Sequence, residues 1–116
     1  MENCVFCKIV NKEIPKEMVF EDEEIAAFED IHPIAPVHIL IIPKKHILTV
    51  DDLSEEDTEL IGKMILVAQK LARKLKTSDN GYKLLFRVKR WGGQEVNHIH
   101  LHLIGGAKLK EEIRPA

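Results

Sequence analysis

Three histidines alternate with apolar residues in His98-Ile99-His100-Leu101-His102-Leu103. Side chains alternate across a β-strand, so this run predicts His98, His100 and His102 on one face, with Ile99, Leu101 and Leu103 on the other as core anchors. An imidazole titrates near neutrality and can serve as nucleophile, acid or base, so such a row concentrates reactive groups on a rigid support. A metal held by all three is disfavoured. The outer two stand too far apart along a flat strand to converge on an ion that needs nitrogen at roughly 2.0–2.1 Å, although two neighbours could share one. A second reactive pair, Cys4 and Cys7 in Cys4-Val5-Phe6-Cys7, is too closely spaced to staple distant parts of a fold. In a reducing compartment that spacing reads as metal ligands or redox chemistry before it reads as a structural disulfide.

Several elements must carry these groups. Residues Val5–Val10 suit a short helix, stopped before Pro15 because the residue preceding a proline avoids helical geometry. Two strands are expected at 18–21 and 25–29, with Asp22-Glu23-Glu24 as the turn of a hairpin. The connector Ile31-His32-Pro33-Ile34-Ala35-Pro36 has two prolines and cannot lie inside a sheet. His32, within it, is given a structural role. Residues 38–42 then form a β-branched strand with both faces covered, ended by Pro43.

The longest helix is predicted from Ser54 to about residue 76. Ser54 precedes three acids, which suits an N-cap and the positive end of a helix dipole. Leu60, Ile61, Met64, Val67, Ala68, Leu71 and Leu75 follow at three- and four-residue spacing. Strands at 82–88 and 97–104 close the pattern, the last followed by Gly105-Gly106. The order βββ-α-ββ gives an α+β fold: an antiparallel sheet of about five strands with one long and one short helix. The whole chain, 1–116, is expected to be a single domain with weakly specified ends at 1–3 and 107–116.

Composition bounds the function. The 116 residues are 45% hydrophobic and 31% charged, an ordinary globular balance. A formal charge of −2 provides no basic footprint for a nucleic acid polymer, while leaving a free nucleotide possible. No run of about 18 apolar residues suggests a membrane span, and the start lacks the organisation of a secretory signal, so the cytoplasm is the expected compartment.

The triad string His98-Ile99-His100-Leu101-His102-Leu103-Ile104 resembles the His-φ-His-φ-His-φ-φ signature of the histidine-triad (HIT) family, φ being apolar. Gly92-Gly93-Gln94-Glu95-Val96 before it and Gly105-Gly106 after it extend the likeness. So do Phe28-Glu29-Asp30-Ile31, the stretch from Pro36 to Ile47, and Cys4-Val5-Phe6-Cys7-Lys8-Ile9-Val10. Together these cover residues 4–106 and resemble the nucleotide-binding, HINT-like branch of purine nucleoside phosphoramidase type.

The resemblance implies a nucleotide hydrolase that cleaves nucleoside 5′-phosphoramidates or related conjugates. His100 would attack the α-phosphorus to give a nucleotidyl-histidine, and water would hydrolyse that intermediate. His102 would face the leaving group or a non-bridging oxygen as a hydrogen-bond donor and possible general acid, and His38 would help orient the triad, of which His98 is the first member. Asp30 matches the acid that accepts from ribose hydroxyls. Phe28, Ile31, Phe6, Val5 and Ile9 match the apolar walls around the base, and Gln94, Glu95 and Val96 match the phosphate loop.

One position departs from the family pattern. Arg87 stands where an asparagine is usual; it can contact a phosphate but cannot accept a hydrogen bond. Reduced turnover or a shifted substrate preference follows as a hypothesis. The alternatives in view are a nucleotide-binding regulatory protein with little turnover, a zinc-stabilised interaction module, and a dinucleoside polyphosphate hydrolase or nucleotidyl transferase. No cofactor is expected for catalysis. The resemblance also implies a structural zinc on Cys4, Cys7, His46 and His98, a purine nucleotide as ligand, and a homodimer formed through the long helix and the strand at 82–88.

Overall fold

The computed structural model describes residues 3–116, so residues 1 and 2 of the predicted loose N-terminus lie outside the described part. Helix α1 (Val5–Val10) leads into strands β1 (Phe20–Glu21), β2 (Ile25–Glu29) and β3 (Val37–Pro43). Two short 3₁₀ turns, Val50–Asp52 and Glu55–Asp57, precede helix α2 (Thr58–Lys74), and strands β4 (Lys83–Phe86) and β5 (Leu101–Gly105) follow. All pairings are antiparallel, in the sheet order β1-β2-β3-β5-β4. This is the expected α+β architecture, with one five-stranded sheet, one long helix and one short one.

The two faces of the sheet are built differently. Ile25, Ala27, Ile39, Ile41, Leu101 and Leu103 point to one face, where they pack on Met64, Val67, Ala68, Leu71 and Ala72 of α2. Ala26, Phe28, Leu40 and Ile42 point to the other and meet Phe6 and Ile9 of α1. Because strand side chains alternate, the register Leu40↔His102 and His38↔Ile104 sets His38 and His102 diagonally on this second face. The long helix therefore supplies the core, and the short one covers the reactive face.

Several boundaries differ from the sequence reading: β3 runs Val37–Pro43 rather than 38–42, β4 holds Lys83–Phe86 rather than 82–88, and three further differences have clear physical causes. The ladder of β1 holds only Phe20 and Glu21 rather than 18–21, although the Val19 N–H still donates to Ala27 C=O at 2.8 Å. The helix expected from Ser54 starts regularly at Thr58, because residues 55–57 form a tighter turn. There the buried Asp57 carboxylate accepts from the Ser54 N–H at 3.0 Å and pairs with Lys45 at 2.9 Å. The histidine strand starts at Leu101 rather than at residue 97. Instead of continuing the β3 ladder, the Ile99 N–H donates to Ile47 C=O at 2.7 Å, which draws His98–His100 away from the sheet.

Candidate active site and metal cluster

The bend before β5 separates the three histidines by task. The Nε2 of His98 lies 2.8 Å from Pro43 C=O. A carbonyl only accepts, so Nε2 carries the ring hydrogen and Nδ1 holds a lone pair. That Nδ1 lies 3.4 Å from Cys4 Sγ, 3.6 Å from Cys7 Sγ and 3.2 Å from His46 Nδ1. Cys7 Sγ in turn lies 3.2 Å from His46 Nδ1. The four ligand atoms all fall within 4.8 Å of one another, so Cys4, Cys7, His46 and His98 could hold a structural metal ion. Burial first, then Cys4, push the Cys7 thiol up to about 11. A divalent cation would reverse this by replacing the thiol protons.

His100 lies on the other side of the bend. Its Nδ1 donates to His98 C=O at 2.8 Å, which leaves Nε2 as a bare lone pair. His102 is set by a longer chain of contacts. The Ile34 N–H donates to His38 Nδ1 at 3.2 Å, so His38 carries its hydrogen on Nε2. That Nε2–H faces His102 Nδ1 at 2.9 Å and Asp30 Oδ2 at 3.4 Å. His102 must then accept at Nδ1 and carry hydrogen on Nε2, and its buried Nε2 has no partner among the described residues. A lone pair on His100 and an unsatisfied donor on His102 are thus presented side by side, the ring centroids 4.9 Å apart.

Burial is the main cause that lowers His38, His100 and His102 below the ordinary imidazole range, His102 to about 3. The Arg87 charge pushes all three further in the same direction, while Asp30 opposes it. At pH 7 the rings are neutral.

His38, His100 and His102 open onto a cleft of about 820 Å³. Asp30, Ile31, Phe28, Phe6, Val5, Ile9, Arg87, Glu95 and Val96 line it as well. Two residues given a catalytic or nucleotide-binding place from the sequence do not. His98 belongs to the metal cluster, which it joins to the cleft through its carbonyl. Gln94 is occupied in bracing its loop: its amide nitrogen donates to Leu48 and Val96 carbonyls at 2.7 and 2.9 Å, and its oxygen accepts from the Lys89 N–H at 2.9 Å. Its own N–H donates to Lys89 C=O at 3.0 Å. Gly92 is needed here because a Cβ would meet Val88 C=O at 2.4 Å, closer than any side chain permits.

The apolar wall arises from one short helix. Phe6 of α1 stands edge-on to Phe28, His98 and His100 at 5.6, 5.8 and 5.1 Å. Asp30 keeps acceptor capacity toward the cleft, although its Oδ1 also accepts from the His32 N–H at 2.9 Å. Ile14, Lys16, His32, Ile34 and Leu40 line the cleft too, and sequence reasoning had not placed them there. For Leu40 the signal was present, since it shares a face of β3 with His38. For Lys16 and Ile34, in proline-bearing loops, it was not.

A bare imidazole nitrogen beside a second imidazole N–H, on an α+β sheet of this order, defines a histidine-triad protein. The family model for the HIT domain matches residues 11–109, and the chain belongs to that family. It is 48% identical over 108 residues to the purine nucleoside phosphoramidase of Escherichia coli strain K12, covering 93% of this chain and 91% of that protein. Among solved structures it is similar to a HIT family hydrolase from Legionella pneumophila Philadelphia 1, with 54% identity, a TM-score of 0.91 and coverage of 93% and 96%. A histidine triad protein from Clostridium difficile superposes with a TM-score of 0.93 at 36% identity, over 97% and 98% of the two chains.

Proposed function

We propose that this protein hydrolyses purine nucleoside 5′-phosphoramidates through a covalent nucleotidyl-His100 intermediate. The observation that carries the reading is the opposed setting of the two imidazoles. The bond to His98 C=O leaves His100 Nε2 bare, and the Ile34–His38 chain turns His102 Nε2–H outward beside it. The His100 lone pair attacks the α-phosphorus, an N–P bond forms, and the bond to the amine breaks as the amine takes a proton from water in the open cleft. The His102 N–H holds a phosphoryl oxygen as charge builds on it. Water then attacks phosphorus, the His100–P bond breaks, and the nucleoside monophosphate leaves. Asp30 accepts from the ribose hydroxyls, and Phe6, Phe28, Val5, Ile9 and Ile31 enclose the base. Similarity to a purine nucleoside phosphoramidase supports this substrate class.

Release of AMP or GMP from adenosine and guanosine 5′-monophosphoramidate, by wild type and His100→Ala, tests the reading. The wild type is expected to release nucleotide and the variant to lose about a thousandfold or more in turnover. Equal release by both would sink it.

Arg87 favours a second reading, a nucleotide-binding protein with slow turnover, because its cation lies in the cleft where it can hold a product phosphate. Tight AMP or GMP binding without release would select that alternative. A dinucleoside polyphosphate, or an acceptor other than water, would use the same intermediate.

The Cys4, Cys7, His46 and His98 cluster is read as a structural zinc site. Its sulfur–nitrogen and nitrogen–nitrogen separations of 3.2–3.6 Å match the edges, roughly 3.3–3.6 Å, of a tetrahedron with Zn–S at about 2.3 Å and Zn–N at about 2.0–2.1 Å. Two imidazole nitrogens 3.2 Å apart, one of them a bare lone pair, repel unless a cation or proton lies between them. A homodimer completes the proposal, supported by the open edge of β4 and by exposed Ile65 and Leu66 on α2.

A further inference from the structure

Lys16 is a cation placed in an apolar wall. It follows Ile14 and Pro15 along the cleft, and its Nζ stands 5.7 Å from the centroid of the Phe28 ring. Its stem covers apolar surface while its ammonium reaches the cleft. Among the described residues no carboxylate forms an ion pair with it. Its position along the cleft follows from successive ring contacts: Phe28 is edge-on to Phe6 at 5.6 Å, and Phe6 is edge-on to His100 at 5.1 Å. Two aromatic rings therefore separate Lys16 from the nucleophile. With the phosphorus at His100 and the ribose at Asp30, the part of a nucleotide that reaches Lys16 is the base.

We propose that Lys16 selects the base, favouring 6-oxopurine nucleotides of the guanine type over 6-aminopurine ones. The inference rests on the nucleotide-hydrolase reading of the cleft. An ammonium has three donors and no acceptor. Guanine offers it two adjacent acceptors, O6 and N7, whereas adenine offers N7 beside an amino group that is itself a donor. The surrounding residues Ile9, Ile14 and Phe28 enclose either base equally and carry no hydrogen-bonding side-chain atoms. Glu29 and His32 also line the cleft, but the polar group placed over the Phe28 ring is the Lys16 ammonium. Discrimination on that wall therefore falls to it, and in a partly buried site a charged donor is worth more than in water.

The ratio of kcat/KM for guanosine over adenosine 5′-monophosphoramidate tests this for wild type, Lys16→Met and Lys16→Arg. Lys16→Met keeps a flexible apolar stem against Phe28 and removes the donors; Lys16→Arg keeps donors and charge. The expected result is a wild-type ratio of about ten, a ratio near one for Lys16→Met, and recovery of most of the preference in Lys16→Arg. A wild-type ratio at or below one overturns the proposal. So does an equal loss on both substrates in Lys16→Met, which would mark the side chain as packing alone. Equilibrium binding of GMP and AMP by the same three proteins reads the base without any chemistry. If the wild type releases no nucleotide yet binds GMP about tenfold more tightly, with the difference lost in Lys16→Met, the hydrolase reading fails and base selection stands. Equal GMP and AMP affinities in a protein that does hydrolyse both substrates overturn base selection and leave the hydrolase reading intact.

Discussion

Arg87 changes the electrostatics of the cleft without touching its hydrogen-bond pattern. Its charge helps to hold His38, His100 and His102 low, behind the larger effect of burial. A protonated His100 has no lone pair for phosphorus, so activity falls on the acid side as pH drops through its pKa. Arg87→Asn removes a cation that disfavours the imidazolium. The His100 pKa therefore rises, and the acid limb of the kcat/KM profile moves to higher pH. A pH-rate series on both proteins checks this; profiles and turnover that coincide would remove any role for Arg87 in tuning the site. The same lowered values bear on stability. An unfolded chain takes up protons near pH 6.5 that the buried rings refuse until lower pH, so the contribution of the neutral triad is complete above that value and declines as pH falls toward 3.

At the scale of the element, α1 is the joint between two centres. Six residues hold Cys7 against His46 and His98 on one side and place Phe6 and Ile9 in the cleft on the other. The proposed zinc is expected to be present in wild-type protein made without a histidine tag and to be lost in Cys7→Ser, with loosening of α1. Hydrogen exchange of residues 5–10 should then approach that of a frayed end while α2 stays protected. Full metal content in the variant would argue against the cluster.

Much of this element was legible beforehand. Val5–Val10, the hairpin of β1 with β2 and the apolar stripe of α2 follow from proline stops, an acidic turn between two strands and helical spacing, all local signals. The extent of β5 was not legible. The Ile99 N–H bonds to Ile47, 52 positions earlier in the chain, and no periodicity in the histidine run reveals such a partner. For the same reason the bracing role of Gln94 was hidden: a glutamine after two glycines looks available to an anion until the loop around it is seen to engage its side chain. Lys16 escaped notice because a lysine after a proline ordinarily reads as a solvated turn.

For the whole molecule, unfinished surface is found on a sheet edge and on the long helix. The order β1-β2-β3-β5-β4 leaves β4 with a neighbour on one side only, its residues half-buried. Beside the core stripe of α2, Ile65 and Leu66 remain 44% and 54% exposed. An open edge and an apolar helix flank are ordinarily covered or charged, and a second copy would cover both in one two-fold contact. Light scattering on the wild type is expected to give twice 13.3 kDa, and Leu66→Asp to shift it to 13.3 kDa. A wild-type mass already at the lower value would exclude the dimer. Among the described residues no helix is long and apolar enough to cross a membrane.

The contact between the Ile34 N–H and His38 Nδ1 has a consequence for how sequences of this kind can vary. The direction in which hydrogens point along the row is dictated by a main-chain atom in an exposed loop, so nearly any side chain at position 34 preserves it. Proline alone, which has no N–H, would erase the instruction while every histidine stayed in place. In Ile34→Pro, nitrogen NMR of the imidazoles should show His38 and His102 exchanging tautomers, with turnover falling as the outward donor is lost. A comparison restricted to the reactive side chains would judge that variant intact.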